Sequence, residues 1–112
     1  MRHSKPATQI SIMIFITQLI YIKEGKEDLF HEFERVAIPS IARYNGQLLL
    51  RMRPTKDNFI EHNIEPPYEV HLVQFETELD FKNFMHDDER KRFLHLKEAS
   101  VKSSLMYHGV QL

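Results

Sequence analysis

Seven histidines are the side chains in this sequence that are best suited to acid–base chemistry or metal binding near neutral pH. None of them forms the i,i+4 pair of a helical zinc motif or a His-x-His pair on a strand, so the spacing predicts no metal site. His71 is the most informative, because it lies inside the apolar run at residues 70–75. It is either a core histidine held by a hydrogen-bond partner or a pocket residue that acts as a catalytic base or donates to a substrate carbonyl.

A long polar connection, residues 54–67, has proline at both ends and carries Glu61. Long ordered loops are often functional, and this one either closes over a pocket, with Glu61 as a second catalytic residue beside His71, or is a plain surface loop. Arg51, just before it, could hold a ligand carboxylate. The alternative is that Arg51 and Arg53 are solvated charges that protect an edge strand.

Four further residues interrupt or border apolar strands and are candidates for ligand contact. Gln18 and Gln74 each place an amide among apolar neighbours, and a buried amide needs a partner across a dimer, a water or a ligand. We select Gln74, together with His108 and Tyr21, as ligand-binding residues besides Arg51. A tyrosine at such a position also fits an ordinary core.

Composition excludes several classes of function. The chain has no cysteine, which excludes disulfides, cysteine-ligated metals and thiol catalysis. Its three glycines form no phosphate-binding loop. The net charge is −1, so the chain lacks the excess of basic residues that nucleic-acid binding requires. We therefore predict no cofactor and no nucleic-acid partner.

The apolar segment 10–22 needs a separate reading. It is too short for a membrane span of ~20 residues, and no small-residue cleavage site follows it. We read it as a strand buried on both faces, preceded by a flexible leader at residues 1–11. A single domain then covers 12–112, and we expect it in the cytoplasm, without a membrane partner.

Periodicity places the elements in a β-α-β-β-α-β order. Strands are predicted at 12–23, 47–53, 68–76 and 105–112, and a helix from residue 27 with a kink at Pro39 or a short second helix from there to Tyr44. A helix opens after a capping box at Thr77, and another after Asp87, with Val101 among its buried positions.

This order predicts an α+β ferredoxin-like fold, an antiparallel sheet with its helices on one face. The first strand is apolar on both faces, so the face without helices would be left in water as a large patch. We therefore expect a homodimer that packs sheet to sheet, a dimeric α/β barrel, with a small-molecule pocket between sheets or between sheet and helices.

Several segments resemble the DUF1330 family of the dimeric α/β-barrel superfamily. Residues 44–49 (Tyr-Asn-Gly-Gln-Leu-Leu) resemble its Tyr-Gly-Gly-x-x-Leu segment, residues 36–39 its proline-bearing helix, and residues 87–99 its Ser-Pro-Glu start and Leu-x-Leu-Arg-x-Ala helix. The sequence departs from the pattern at residues 61–62, at residues 68–69, where a basic residue is usual, and at Lys97 in place of arginine. The resemblance implies the fold and a dimer, and little about activity.

Two functions follow as hypotheses. The superfamily includes cofactor-free oxygenases and isomerases, so the first is an enzyme of that kind on a small organic acid or phenolic compound. The second is a non-catalytic metabolite-binding or dimerisation module. A purely apolar pocket would favour the module, whereas a buried histidine with a shifted pKa facing a cavity would favour the enzyme.

Overall fold

A computed structural model describes residues 12–111, so the predicted leader at residues 1–11 lies outside the described residues. The four strands are β1 (Ile14–Ile22), β2 (Gly46–Met52), β3 (Glu69–Phe75) and β4 (Val101–Gly109). The α-helices are α1 (Glu27–Ser40), α2 (Glu78–Met85), α3 (Asp88–Arg92) and α4 (Leu94–Ser100). Short 3-10 helices cover Ile41–Tyr44 and Lys56–Asn58.

The strands form one antiparallel sheet in the order β2-β3-β1-β4. Helices α1 and α4 pack against each other on one face of that sheet, which confirms the α+β ferredoxin-like prediction. Because side chains alternate along a strand, each central strand sends every second residue to the helices. On β1 and β3 these include Ile16, Ile20, Val73 and Phe75, and all four are buried.

The open face of the sheet is also apolar. Phe15 and Leu19 of β1 lie on it, paired in register with Gln74 and Val70 of β3. At its flanks, Leu50, Met52, Leu105 and Tyr107 are exposed. The prediction that strand one is apolar on both faces therefore holds in three dimensions.

Helix ends follow the sequence signals. The Thr77 hydroxyl accepts a hydrogen bond from the Asp80 backbone N–H, and the Asp87 carboxylate accepts one from the Arg90 backbone N–H. Pro39 lies in the last turn of α1, so the helix ends one residue later and a 3-10 helix completes the segment. Asn45 then takes a left-handed conformation with φ 56°, which starts β2 in a new direction.

Two predicted elements need correction. The last strand begins at Val101, not at residue 105, and Val101 is a strand residue, not a buried helix position. The helix ends there because Val101 takes an extended conformation and pairs with Ile22, and β4 continues this pairing along nearly all of β1. The single helix expected after Asp87 is also divided, into α3 and α4 at Phe93.

A β-bulge in β2 changes which side chains face the helices. Leu48 pairs with Val73 and Leu50 with Leu72, so Leu49 is an extra residue between them. One extra residue reverses the alternation for the rest of a strand. Arg51 consequently lies opposite His71, on the helix-covered face, where a regular strand would have sent it to the open face.

Candidate functional site

A cavity of about 80 Å³ lies between the helices and the sheet. Its wall is largely apolar, with Phe30, Phe33 and Ala37 from α1 and Ile16 and Ile20 from β1 among the contributors. The polar side chains that reach it are Gln18, Glu34, His71, Arg90, Lys97 and Ser104. An apolar cavity with a few convergent polar groups is the usual form of a small-molecule site.

His71 is held at one end of this cavity by two buried glutamates. Its Nε2 lies 2.5 Å from Oε2 of Glu69 and 3.1 Å from Oε2 of Glu34. Glu69 is two residues earlier on β3, on the same face, and Glu34 comes from the buried side of α1. The glutamates are 0% and 3% exposed, so both carboxylates are removed from water.

Two arginines neutralise these carboxylates from the other side. Arg51 donates from Nη2 to Oε1 of Glu34 at 2.8 Å and from Nε to Oε2 of Glu69 at 3.3 Å. Arg53 donates from Nε to Oε1 of Glu69 at 2.7 Å. The bulge in β2 is what turns both guanidinium groups toward the carboxylates. We call Glu34, Glu69, His71, Arg51 and Arg53 the β3 cluster.

The protonation equilibria of the β3 cluster are shifted in different directions. Burial opposes the charged imidazole, but the hydrogen bonds to Glu34 and Glu69 outweigh it and raise the pKa of His71. Burial also raises the pKa of Glu34. Burial acts the same way on Glu69, yet the hydrogen bonds from His71 and Arg53 prevail and hold the pKa of Glu69 well below its ordinary value. Two carboxylates with opposed shifts are suited to different roles.

The β3 cluster also offers a set of ligand atoms for a metal ion. Glu34, Glu69 and His71 each present one atom, and these atoms lie within 4.8 Å of one another. Carboxylate and imidazole are ligands of zinc and of the mid-row transition metals. However, two guanidinium groups already balance the charge of both carboxylates, so a divalent cation would add uncompensated positive charge. The geometry therefore fits acid–base chemistry better than metal binding.

The six residues selected from the sequence are dispersed. His71 lines the cavity, as the functional reading requires. Arg51 does bind carboxylates, but they are those of Glu34 and Glu69, so it is not free for a ligand. Glu61 is exposed on its loop, and no residue from 54 to 67 lines the cavity.

Three further choices also lie away from the cavity. Gln74 pairs in register with Phe15 and faces the open side of the sheet. His108 is exposed near the end of β4, where its ring packs edge-on against Phe81. Tyr21 is on the open face, and its hydroxyl donates to the Glu65 carbonyl. None of these three contacts the β3 cluster.

Three residues of the cavity wall or the β3 cluster were not selected from the sequence. Gln18 pairs in register with His71, so it is the strand amide that faces the cavity, whereas Gln74 faces the open side of the sheet. The sequence does indicate that Glu34 faces the core, because it falls within the apolar helical spacing of Phe30, Phe33 and Ala37. It also indicates that Glu69 lies beside His71, because the two are separated by one residue and share a face of one strand.

Comparisons with known proteins support the fold. No protein-family model matches the chain, and no curated protein matches it either. A dabb family protein with a ferredoxin-like fold from Mesorhizobium loti has a TM-score of 0.69 at 15% identity, over 91% of this chain and 99% of that one. A dimeric protein of unknown function with a ferredoxin-like fold from Bacteroides fragilis has a TM-score of 0.66 at 10% identity, over 88% and 96%.

A third structure of this fold belongs to an enzyme. SnoaB, a cofactor-independent oxygenase from Streptomyces nogalater, has a TM-score of 0.63 at 9% identity and covers 91% of this chain and 95% of its own. At identities this low, the structural similarity shows a shared fold only, so function has to be argued from the site itself. Within residues 12–111, no helix combines the length and the apolar character that crossing a membrane requires.

Proposed function

We propose that this protein is a cofactor-free enzyme that moves a proton on a small organic acid bound between the helices and the sheet. The observation that carries the proposal is a buried histidine with a raised pKa in the wall of a cavity. Shifted titratable groups cluster at functional sites. Buried ion networks, by contrast, contribute little net stability compared with apolar packing, so stability alone is a weak reason for the β3 cluster.

The cluster assigns complementary roles to two of its members. Both glutamates bind Nε2 of His71, and Nδ1 has no hydrogen-bond partner within residues 12–111. A protonated ring can therefore donate from Nδ1 to a ligand oxygen. Glu34 also lines the cavity, and its raised pKa makes its carboxylate a stronger proton acceptor than an ordinary glutamate. Glu69, Arg51 and Arg53 keep both groups in place.

The step we propose is an enolisation. A C–H bond beside the ligand carbonyl breaks and its proton passes to Glu34, while the electron pair moves onto the carbonyl oxygen. The Nδ1–H of His71 stabilises the charge that develops on that oxygen. Where the ligand has a C=C bond next to that carbon, return of the proton to the far end of the C=C bond would complete an isomerisation; otherwise the proton returns to the same carbon, which gives exchange alone. No external oxidant or reductant is required.

Cavity size favours a small organic acid over a phenol. An apolar cavity of roughly 150 Å³ binds benzene, whereas this one measures only about 80 Å³. A phenolic ring would require the side chains around it to move. Met85 and Met106 in the wall are the flexible ones. An oxygenase acting on a larger ring is therefore less well supported than an isomerase-type reaction on a short chain.

Deuterium exchange tests the proposal without knowledge of the natural substrate. Protein in D₂O is incubated with pyruvate and with 2-oxobutyrate, and loss of the proton signal beside the carbonyl is followed by NMR. We expect exchange above the protein-free rate, reduced at least ~100-fold in His71→Asn and Glu34→Gln, in keeping with the usual 10²–10⁴-fold contribution of acid–base groups. Glu32→Gln is the matched control, because Glu32 is exposed on the same helix.

The alternative function gives a different result. A non-catalytic metabolite-binding module would bind these acids, as seen by a rise in Tm, without any exchange. Exchange that persists in both variants at the wild-type rate would contradict the roles assigned to His71 and Glu34.

We also infer that the protein is a homodimer that packs through the open face of its sheet. Leu19, Val70 and Leu72 lie at the centre of that face, and Leu105 and Tyr107 lie exposed beside them. A contiguous apolar surface of this extent is rare on a monomer. The Bacteroides fragilis protein of the same fold is described as dimeric, which supports a dimer here without indicating its interface. Membership of the DUF1330 family and a cytoplasmic location stay predictions.

A further inference from the structure

We propose that Arg90 and Lys97 form a carboxylate-binding subsite in the wall of the cavity that His71 and Glu34 also line. The inference deepens the proposed function, on which it rests, by assigning the acid group of the ligand to named residues. Both side chains line the cavity, Arg90 from α3 and Lys97 from α4. They come from the two helices that close the cavity beside β4.

Neither of these cations has an acidic partner. Among residues 12–111, no carboxylate oxygen lies within the 4.0 Å ion-pair distance of a side-chain nitrogen of Arg90 or Lys97. Asp87, which caps the same short helix and is the acid whose charge acts on Arg90, already has other partners. It accepts from the Tyr44 hydroxyl at 2.7 Å and from Arg43 at 3.1 Å, and its second oxygen accepts from the Arg90 backbone N–H.

Arg90 is buried in an apolar environment with an unmet donor. It is 6% exposed, and its guanidinium stacks over the rings of Phe33 and Phe84. Nη1 donates to the Met85 carbonyl, but Nε is buried without any hydrogen-bond partner among residues 12–111. A buried, unpaired donor on a charged group is costly, so proteins rarely leave one without a reason.

Lys97 adds a second positive charge to the same wall. It is half-buried and its Nζ makes no hydrogen bond to any residue from 12 to 111. Burial and then the charge of Arg90 lower the pKa of Lys97, and both side chains line the same cavity. An anion bound between two cations that face an apolar cavity would stabilise both of them. The carboxylate is the anion that fits, since it matches the donor fork of arginine and leaves room in about 80 Å³ for only a few more atoms.

The experiment compares acetate with acetamide, a neutral molecule of the same size, on the free protein. Thermal unfolding is measured at constant ionic strength, with sodium chloride replacing acetate. We expect acetate to raise Tm in a saturable way and acetamide to leave it unchanged. In Lys97→Met the acetate effect should weaken at least tenfold in apparent Kd. Lys91→Met is the matched control, because Lys91 is an exposed lysine on α3.

A second readout separates a binding role from a structural one. Lys97→Met removes one of two unpaired like charges, so the variant without acetate should melt a few degrees higher than the wild type. A structural lysine would give the opposite sign. Arg90→Lys keeps the charge and removes the Nε donor, and it should weaken acetate binding without a gain in Tm.

Three results would overturn the subsite. These are equal Tm shifts from acetate and acetamide, an unchanged acetate response in Lys97→Met, or a lower Tm of that variant in the absence of acetate. All three leave the roles of His71 and Glu34 intact, because the deuterium-exchange assay tests those separately. Conversely, acetate binding that depends on Lys97, together with no exchange on any 2-oxo acid, would support the subsite and contradict the enzyme.

Discussion

At the scale of single residues, the molecule separates two groups of polar side chains within one apolar cavity. The β3 cluster is balanced, with two arginines against two glutamates around His71. The positive charges of Arg90 and Lys97 are not balanced in this way, because neither side chain forms an ion pair with a carboxylate among residues 12–111. A ligand with a carboxylate at one end and a carbonyl at the other would satisfy both groups. Gln18, in register with His71, could hydrogen-bond the same ligand.

The raised pKa of His71 predicts how stability depends on pH. A group that binds its proton more tightly in the folded state contributes stability that is complete below its unfolded pKa of about 6.5 and is lost as the pH rises through the folded pKa. We therefore expect the free energy of unfolding lost in His71→Gln to be larger at pH 6 than at pH 9, by roughly 1 kcal/mol or more, measured by urea titration.

The exposed His95 supplies the control for this measurement. His95→Gln should change the free energy of unfolding by less than ~0.5 kcal/mol at both pH values. A loss in His71→Gln that grows with pH would mean that the ring is bound as the neutral form, and it would contradict a raised pKa of His71.

At the scale of elements, the site depends on how β2 joins the sheet. Gly46 opens β2 where a Cβ atom would lie 2.6 Å from Cε1 of Phe75 and 2.7 Å from Cγ2 of Ile41. Phe75 and Ile41 both line the cavity, so this close approach helps to fix its shape. The bulge at Leu49 then directs Arg51 toward Glu34 and Glu69.

Gly46→Ala tests this contact. We expect a loss of roughly 1–3 kcal/mol in the free energy of unfolding, because overpacking forces the strand or its neighbours to move. Gly109→Ala is the control, since a Cβ atom there would meet nothing within 4 Å. Chemical denaturation measures both. Equal losses in the two variants would show that backbone entropy, and not the contact with Phe75 and Ile41, determines the result.

Alternation and capping signals were sufficient to predict the fold, because each strand and helix carries its own pattern. The residues of the candidate site were harder to predict. The bulge at Leu49 cannot be read from alternation, so Arg51 and Arg53 could equally have been solvated edge charges. Gln18 and Gln74 are equivalent in sequence, and only the register with Phe15 and His71 distinguishes them. Local spacing could place Glu34 and Glu69 on the covered side, but their ion pairs with Arg51 and Arg53 join distant segments, which no local pattern encodes.

At the scale of the whole molecule, the two faces of the sheet have different roles. The covered face holds the cavity, and the open face presents Leu19, Val70 and Leu72 at its centre. A domain of this size buries only roughly 60–70% of its unfolded surface, so association adds stability that the monomer lacks. Dimerisation through the open face would leave both cavities of the pair outside the interface.

Leu72→Asp tests the dimer. Sedimentation of the wild type at micromolar concentration should give twice the mass of the chain. The variant should sediment as a monomer or unfold, because an unpaired buried charge costs on the order of 3–5 kcal/mol. Leu79→Asp is the control, since Leu79 is 64% exposed on α2, and it should remain dimeric. A wild-type monomer at that concentration would contradict the arrangement.

The most direct test of the central claim is the imidazole NMR signal of His71 during an acetate titration. With ¹⁵N-labelled histidine, the signals of His71 are assigned from their absence in His71→Asn. The same titration is made with pyruvate, which has a carbonyl for Nδ1 as well as a carboxylate. If the cavity between the helices and the sheet is the ligand site, pyruvate should shift the Nδ1 signal of His71 in a saturable way, by more than acetate does, and leave that of the exposed His95 unchanged. A His71 signal that does not respond to pyruvate would contradict the claim.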